Sequence, residues 1–229
     1  MVVPSRVAFG HDPPRPVHPD SAADLAFVAP GLVHQFGNLF LTVQGHAVYL
    51  EPPLLPRAQS AILGACTRGA STLSIFRHLV GGAGPERIPA RDAVAQVGEL
   101  LRVPVREAGH QLECREPVEL PRVVVDLASF VSVMVSSVRS LLAAVPTGVS
   151  GVVSVRLSPV GVGGGAGLNI AFRATAGSLP FPLAMNDAAS ALRNTAARCR
   201  WPHEVELRAD GFLLLLPPVT AVLDANREP

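Results

Sequence analysis

Long apolar runs are scarce in this 229-residue chain, and none approaches the about 18 uninterrupted apolar residues that read as a membrane-spanning helix. The longest, Phe212 to Val219, has the length of a buried strand. Cysteine is equally sparse. Cys66, Cys114 and Cys199 are far apart and odd in number, which excludes a disulfide framework; with no export signal, reduced thiols and a cytoplasmic location are expected. The formal net charge is only +1, so no surplus of either sign points to nucleic acid or to an acidic partner. His11, His18, His110 and His203 show no ligand spacing, so no metal site is expected. There is no internal repeat. The first twenty residues hold five prolines and several charges but no apolar signal-peptide core, and residues 1–21 read as a disordered arm.

What the chain does have is helical periodicity near its start. Leu25, Leu32, Phe36, Leu39, Val43, Ala47 and Leu50 recur at spacings of three, four and seven, as on one helix of a bundle. His34 lies two residues from both Leu32 and Phe36, so it points about 160–200° away from that stripe. Asn38 follows one turn later on the same face. Pro52, Pro53 and Pro56 then interrupt the pattern, a second helical stretch covers Ala58 to Val80, and Gly81-Gly82-Ala83-Gly84-Pro85 reads as a linker.

The segment Gly31-Leu32-Val33-His34-Gln35-Phe36-Gly37-Asn38-Leu39 resembles the phosphoacceptor helix of sensor histidine kinases that read His-Asp-Phe-Asn-Asn-Leu-Leu; His34, Phe36, Asn38 and Leu39 match, as do Gly45, Ala47 and Leu50. Ile62 to Leu73, with Arg68-Gly69-Ala70, resembles the second helix of the same hairpin. Further on, Arg87 to Glu113 looks like the first helix and strand of the kinase ATP-binding domain. Val125-Asp126-Leu127 with Phe130, Val133 and Met134 looks like the start of its nucleotide-binding helix. Pro146-Thr147-Gly148, Val152 to Leu157, Leu168 to Phe172 and Phe212 to Pro217 resemble the turn and strands that follow. The resemblance covers about nine tenths of the chain. It implies a helical hairpin at 22–84, a degenerate α/β sandwich at 85–218 and a tail at 219–229. A lone hairpin buries one side of each helix, so two are expected to pair as a homodimeric four-helix bundle.

The departures from the kinase pattern fall on the residues that handle nucleotide. Two asparagines four apart become Ser136 and Ser140, whose hydroxyls lack the reach of an amide carbonyl toward Mg²⁺. The adenine-reading Asp-x-Gly-x-Gly loop falls on Ala174 to Ser178, so the carboxylate is lost at Ala174 and the glycines become Ala176 and Ser178. Between Leu179 and Ala188 there is no room for the ATP lid, and the glycines of 161–167 read as a hairpin loop rather than a phosphate cradle. Where kinases place a carboxylate after the histidine, this chain has Gln35, which takes no proton. No cofactor of its own and no ATP-dependent autophosphorylation are expected.

The acceptor remains. A neutral imidazole attacks phosphoryl groups, and an aspartyl phosphate is already reactive; a receiver domain would bring its own Mg²⁺. The resemblance therefore implies a histidine phosphotransferase of the ChpT type. It would accept phosphate on His34 from a response-regulator receiver domain and pass it on, with Asn38 orienting phosphate or water. Gln35, Leu41, Arg68 and Arg77 are the candidate receiver contacts; Arg68, Arg77 and His78 also fit a plain solvated helix face. Ser136 and Ser140 read as helix surface relieved of function, and His46 as a surface histidine. Two alternatives stand beside this one: a pseudokinase scaffold that leaves His34 unused, and a response-regulator phosphatase that uses Asn38. A residual kinase is a fourth. No nucleic acid or membrane partner is expected, and no input module fits in twenty N-terminal residues.

Overall fold

The computed structural model describes residues 19–49, 52, 54–115, 123–160, 165–174, 185–198 and 205–216. The N-terminal arm, the tail, the glycine run at 161–164 and the expected lid region before residue 185 lie outside them.

Two long helices come first, α1 (Pro19–Ala47) and α2 (Leu55–Leu79), packed along each other as a hairpin. The stripe reading holds for Leu25, Leu32, Phe36, Leu39 and Val43, all partly shielded, but not for Ala47, which is exposed; Leu50 lies outside the described residues. Close approach is set by a small residue: a Cβ on Gly69 would collide with Cδ1 of Leu39. Pro56 does not break a helix as the sequence reading had it. It sits in the first turn of α2, where its missing N–H costs nothing and its fixed φ suits the helix. The other end of α2 closes with Gly81 at φ 74°, its N–H donating to the His78 carbonyl at 3.2 Å while Gly82 N–H reaches the Arg77 carbonyl at 2.8 Å. This paired closure needs a left-handed residue, which glycine supplies.

After this turn the chain builds a two-layer α/β body. A short strand β1 (Arg87–Pro89) pairs antiparallel with β3 (Val124–Asp126). Between them lie α3 (Ala90–Glu107) and β2 (Gln111–Arg115). Asp126 caps α4 (Leu127–Ala143), accepting from Ser129 N–H at 3.0 Å. Then come β4 (Gly151–Val160), β5 (Gly165–Ala174), α5 (Met185–Arg198), β6 (Val205–Arg208) and β7 (Gly211–Leu216). The main sheet has the order β2-β4-β5-β7-β6, with only β2 and β4 parallel. Period-2 alternation orients it: Val153, Val155 and Leu157 of β4 are buried under the helices, while Val152, Ser154 and Arg156 face the other way. The hairpin, the mixed sheet and their order along the chain are those the resemblance implied.

One core crosses from the body into the hairpin. Val28 of α1 and Ile75 and Leu79 of α2 belong to the same buried cluster as Val97 and Leu100 of α3 and Phe130 and Met134 of α4. Gly31 is packed so tightly that a Cβ there would collide with the Leu100 carbonyl oxygen. Asp24, only 3% exposed, holds Arg139 Nε of α4 at 2.7 Å. The face that grips the body is thus Asp24, Val28 and Gly31, an i, i+4, i+7 set beside the stripe that builds the hairpin.

Two expectations need correction here. Ser136 and Ser140 are not helix surface: Ser136 is fully buried and Ser140 nearly so, because α5 covers one side of α4 and the base of the hairpin covers another. His78 is not on a polar face either. Its ring is buried and its Nε2 meets Glu86 Oε2 at 2.9 Å, since α2 ends against the body. Residues 22–47 of α1 are also long and apolar enough, by length and composition, to cross a membrane, which a count of uninterrupted apolar residues did not register.

Candidate functional site

His34 stands on α1 just beyond the point where the helix leaves the body, three residues past Gly31. Its imidazole is exposed, as the stripe geometry requires. Asn38, also exposed, places Nδ2 3.0 Å from His34 Nε2. An amide NH₂ only donates, so Nε2 accepts, and the neutral ring then carries its proton on Nδ1. The lone pair on Nε2 is directed at Asn38 along α1 and is engaged by one weak surface hydrogen bond.

Gln35 points elsewhere. It is half-buried, and its Oε1 accepts from the Thr72 hydroxyl across the hairpin. Thr72, buried on α2, also lies 3.0 Å from the Arg68 carbonyl. Gln35 therefore fastens α1 to α2 immediately beneath His34, and among the described residues no carboxylate is bonded to the imidazole. Thr72 was not singled out in the sequence; its only signal there is a hydroxyl at a helical position facing the stripe.

The candidate receiver contacts scatter. Leu41, seven residues after His34 on the same side of α1, is 68% exposed. The cross-hairpin contacts Gln35–Thr72 and Leu39–Gly69 set the antiparallel level. They put exposed Arg68 opposite the Leu39 turn and Arg77 down at the base. There Arg77 Nη2 donates to the Gly82 carbonyl at 3.4 Å. Among the described residues neither arginine bonds to His34. His46 is partly shielded in the last turn of α1.

Among the described residues, the degenerate nucleotide positions Ser136 and Ser140 are buried. Ser136 Oγ lies 3.1 Å from Thr195 Oγ1 of α5, both buried. Ala174 ends β5 and is half-buried. Ala176 and Ser178 lie outside the described residues. Among the described residues no group of three His, Cys, Asp or Glu side chains is placed to hold a metal ion. His110 is buried edge-on against Phe172, with ring centroids 5.2 Å apart, and that burial lowers its pKa below the ordinary imidazole value.

No family model and no curated protein matches the sequence. Among solved structures the chain is similar to one described as a bacterial phosphotransferase, at 16% identity and a TM-score of 0.37, covering 89% of this chain and 98% of that one. It is similar to the Acinetobacter baumannii histidine kinase AdeS at 9% identity and a TM-score of 0.42, covering 81% and 98%. It is similar too to the histidine kinase domain of the Erythrobacter litoralis EL346 blue-light activated kinase, at 13% identity and a TM-score of 0.39, covering 80% and 96%. No activity follows from likenesses of this size.

Proposed function

We propose that this chain is a histidine phosphotransferase of a two-component phosphorelay, taking phosphate on His34 from a receiver aspartate and passing it to a response regulator. The observation that carries this is the exposed imidazole with Asn38 donating to Nε2. In this tautomer Asn38 first turns its N–H away, then the freed Nε2 lone pair attacks phosphorus, the N–P bond forms, the acyl O–P bond breaks, and the receiver carboxylate leaves. The Nδ1 proton stays on the ring as phosphoimidazolium, so the step needs no general base. That suits Gln35, whose carbonyl is already bonded to Thr72. The receiver would contribute Mg²⁺ and the reactive anhydride.

Three features support transfer without an ATP-dependent step. Ser136 is sealed against Thr195 under α5. Ala174 offers no acceptor. The Asp24–Arg139 pair and the Gly31 contact fasten the body to the phosphoacceptor helix, opposing the swing that would carry a nucleotide to His34. A second copy fits the hairpin: Val33 and Phe40 of α1 and Leu63 and Leu73 of α2 are large apolar side chains left exposed in one chain. Each would contribute up to about 1.5–3 kcal/mol if a second hairpin covered it. Leu41, beside His34, is assigned to the receiver.

Incubation with phosphorylated receivers followed by mass spectrometry tests the proposal, with acid-labile, base-stable phosphate expected on the peptide bearing His34. Phosphate on no residue, with receivers still binding, would favour the scaffold. A second reading, receiver dephosphorylation by water held on Asn38, is favoured by the exposed amide itself. It predicts that Asn38→Ala abolishes phosphate release while His34→Ala does not.

A further inference from the structure

The side of the sheet away from the helices carries a cluster that nothing in the phosphoryl chemistry uses. Arg115 of β2, Arg156 of β4 and Arg173 of β5 line a depression of about 200 Å³ whose floor includes Val152 and Ser154. Arg115 is neutralised by Glu113, with Nη2 2.8 Å from Oε2. Arg156 and Arg173 are exposed, and among the described residues neither guanidinium has an ion pair or hydrogen bond. Arg115 and Arg156 are direct cross-strand partners, and the Glu113 carboxylate relieves the repulsion between them, which leaves Arg156 and Arg173 as the free charges of the cluster.

We propose that the exposed part of this sheet face between Arg156 and Arg173 binds an acidic, extended peptide segment of a partner protein, with the two arginines pairing carboxylates at its two ends. Spacing selects a peptide. Arg173 pairs with Val152, so the two free arginines are four residues apart along the strand direction, about 13 Å at the rise of a strand. A lone phosphate occupies one of them, whereas carboxylates at i and i+4 of an extended chain share a face and reach both. The helices lie between this face and the hairpin, so occupancy here leaves His34 free, and the proposal does not depend on what His34 does.

Fluorescence polarisation of labelled hexaglutamate on the full chain at low ionic strength tests it. Hexaglutamine is the neutral control, and hexauridylate and inorganic phosphate are competitors. Saturable binding of hexaglutamate is expected, weakened about tenfold or more in Arg156→Glu with Arg173→Glu and unchanged in His34→Ala. The milder Arg156→Gln with Arg173→Gln pair is expected to weaken it in the same direction, which guards against a misfolded double reversal. No binding, binding unaltered by both pairs, or preference for hexauridylate or phosphate over the peptide would each overturn the proposal.

Discussion

Asn38 Nδ2 sits 3.0 Å from Nε2 of His34, one helical turn away on the same exposed face, and this fixes which ring nitrogen holds the proton. In Asn38→Ala the Nδ1–H form loses its support, which long-range ¹⁵N–¹H correlation spectra of the imidazole will read directly. One surface hydrogen bond is worth about 0.5–1.5 kcal/mol, so phosphoryl transfer should slow by only about two- to tenfold. A loss far beyond that would assign Asn38 the water-holding role of the phosphatase reading.

The ion pair between Asp24 and Arg139 ties α1 to α4 with Asp24 almost fully buried. Asp24→Ala leaves the guanidinium half-shielded and unpaired, and should cost about 3 kcal/mol in urea unfolding at neutral pH. Arg139→Met with Asp24→Leu should recover much of it, because an apolar pair of similar volume avoids desolvating either charge.

Two glycines in α1 and α2 separate rigid from yielding contacts. A methyl at Gly31 meets the backbone carbonyl of Leu100, which cannot move without shifting α3. Gly31→Ala should cost about 2–3 kcal/mol. A methyl at Gly69 meets only the end of the Leu39 side chain, so Gly69→Ala should cost under about 1.5 kcal/mol, its better helix propensity offsetting part of the repacking. Thermal melts of the two variants will rank them.

Installing the asparagines and aspartate of the kinase pattern should not install nucleotide binding. In Ser136→Asn with Ser140→Asn and Ala174→Asp, the amide at 136 would have to enter the space where Thr195 packs. Calorimetry with MgATP should show no binding and the variant should melt lower than the parent. Micromolar binding would show that α5 yields, and would revive a nucleotide function.

His110 gives the fold a pH dependence of known sign. Burial holds its folded pKa below the unfolded value near 6.5, so under acid the unfolded chain binds the extra proton. Its contribution is whole above pH 6.5 and is lost as pH falls through the folded value. Urea midpoints between pH 7.5 and 5 should drop less in His110→Leu than in the parent chain.

Much of this was legible in the sequence because it rests on local periodicity. The hairpin stripe, the exposed side of α1 bearing His34, and the apolar run of Phe212 to Leu216 follow from spacing alone. What failed rests on long-range packing. Ser136 looks polar and therefore exposed until α5, sixty residues on, supplies Thr195 as a partner. Asp24 offers no hint that an arginine in α4 waits for it, and Gln35 reads as a surface amide until Thr72 arrives across the hairpin. His78 is buried because α2 ends against the body, where Glu86 meets its Nε2. Such pairings depend on register between distant segments, which spacing within one helix does not encode.

The most direct measurement is transfer of radiolabelled phosphate to this chain from a panel of phosphorylated receiver domains, beside His34→Ala and a lane with labelled MgATP alone. Label that arrives only from receivers and is absent in His34→Ala is the result this account predicts. Label from MgATP alone, or label from receivers that persists in His34→Ala, would contradict it.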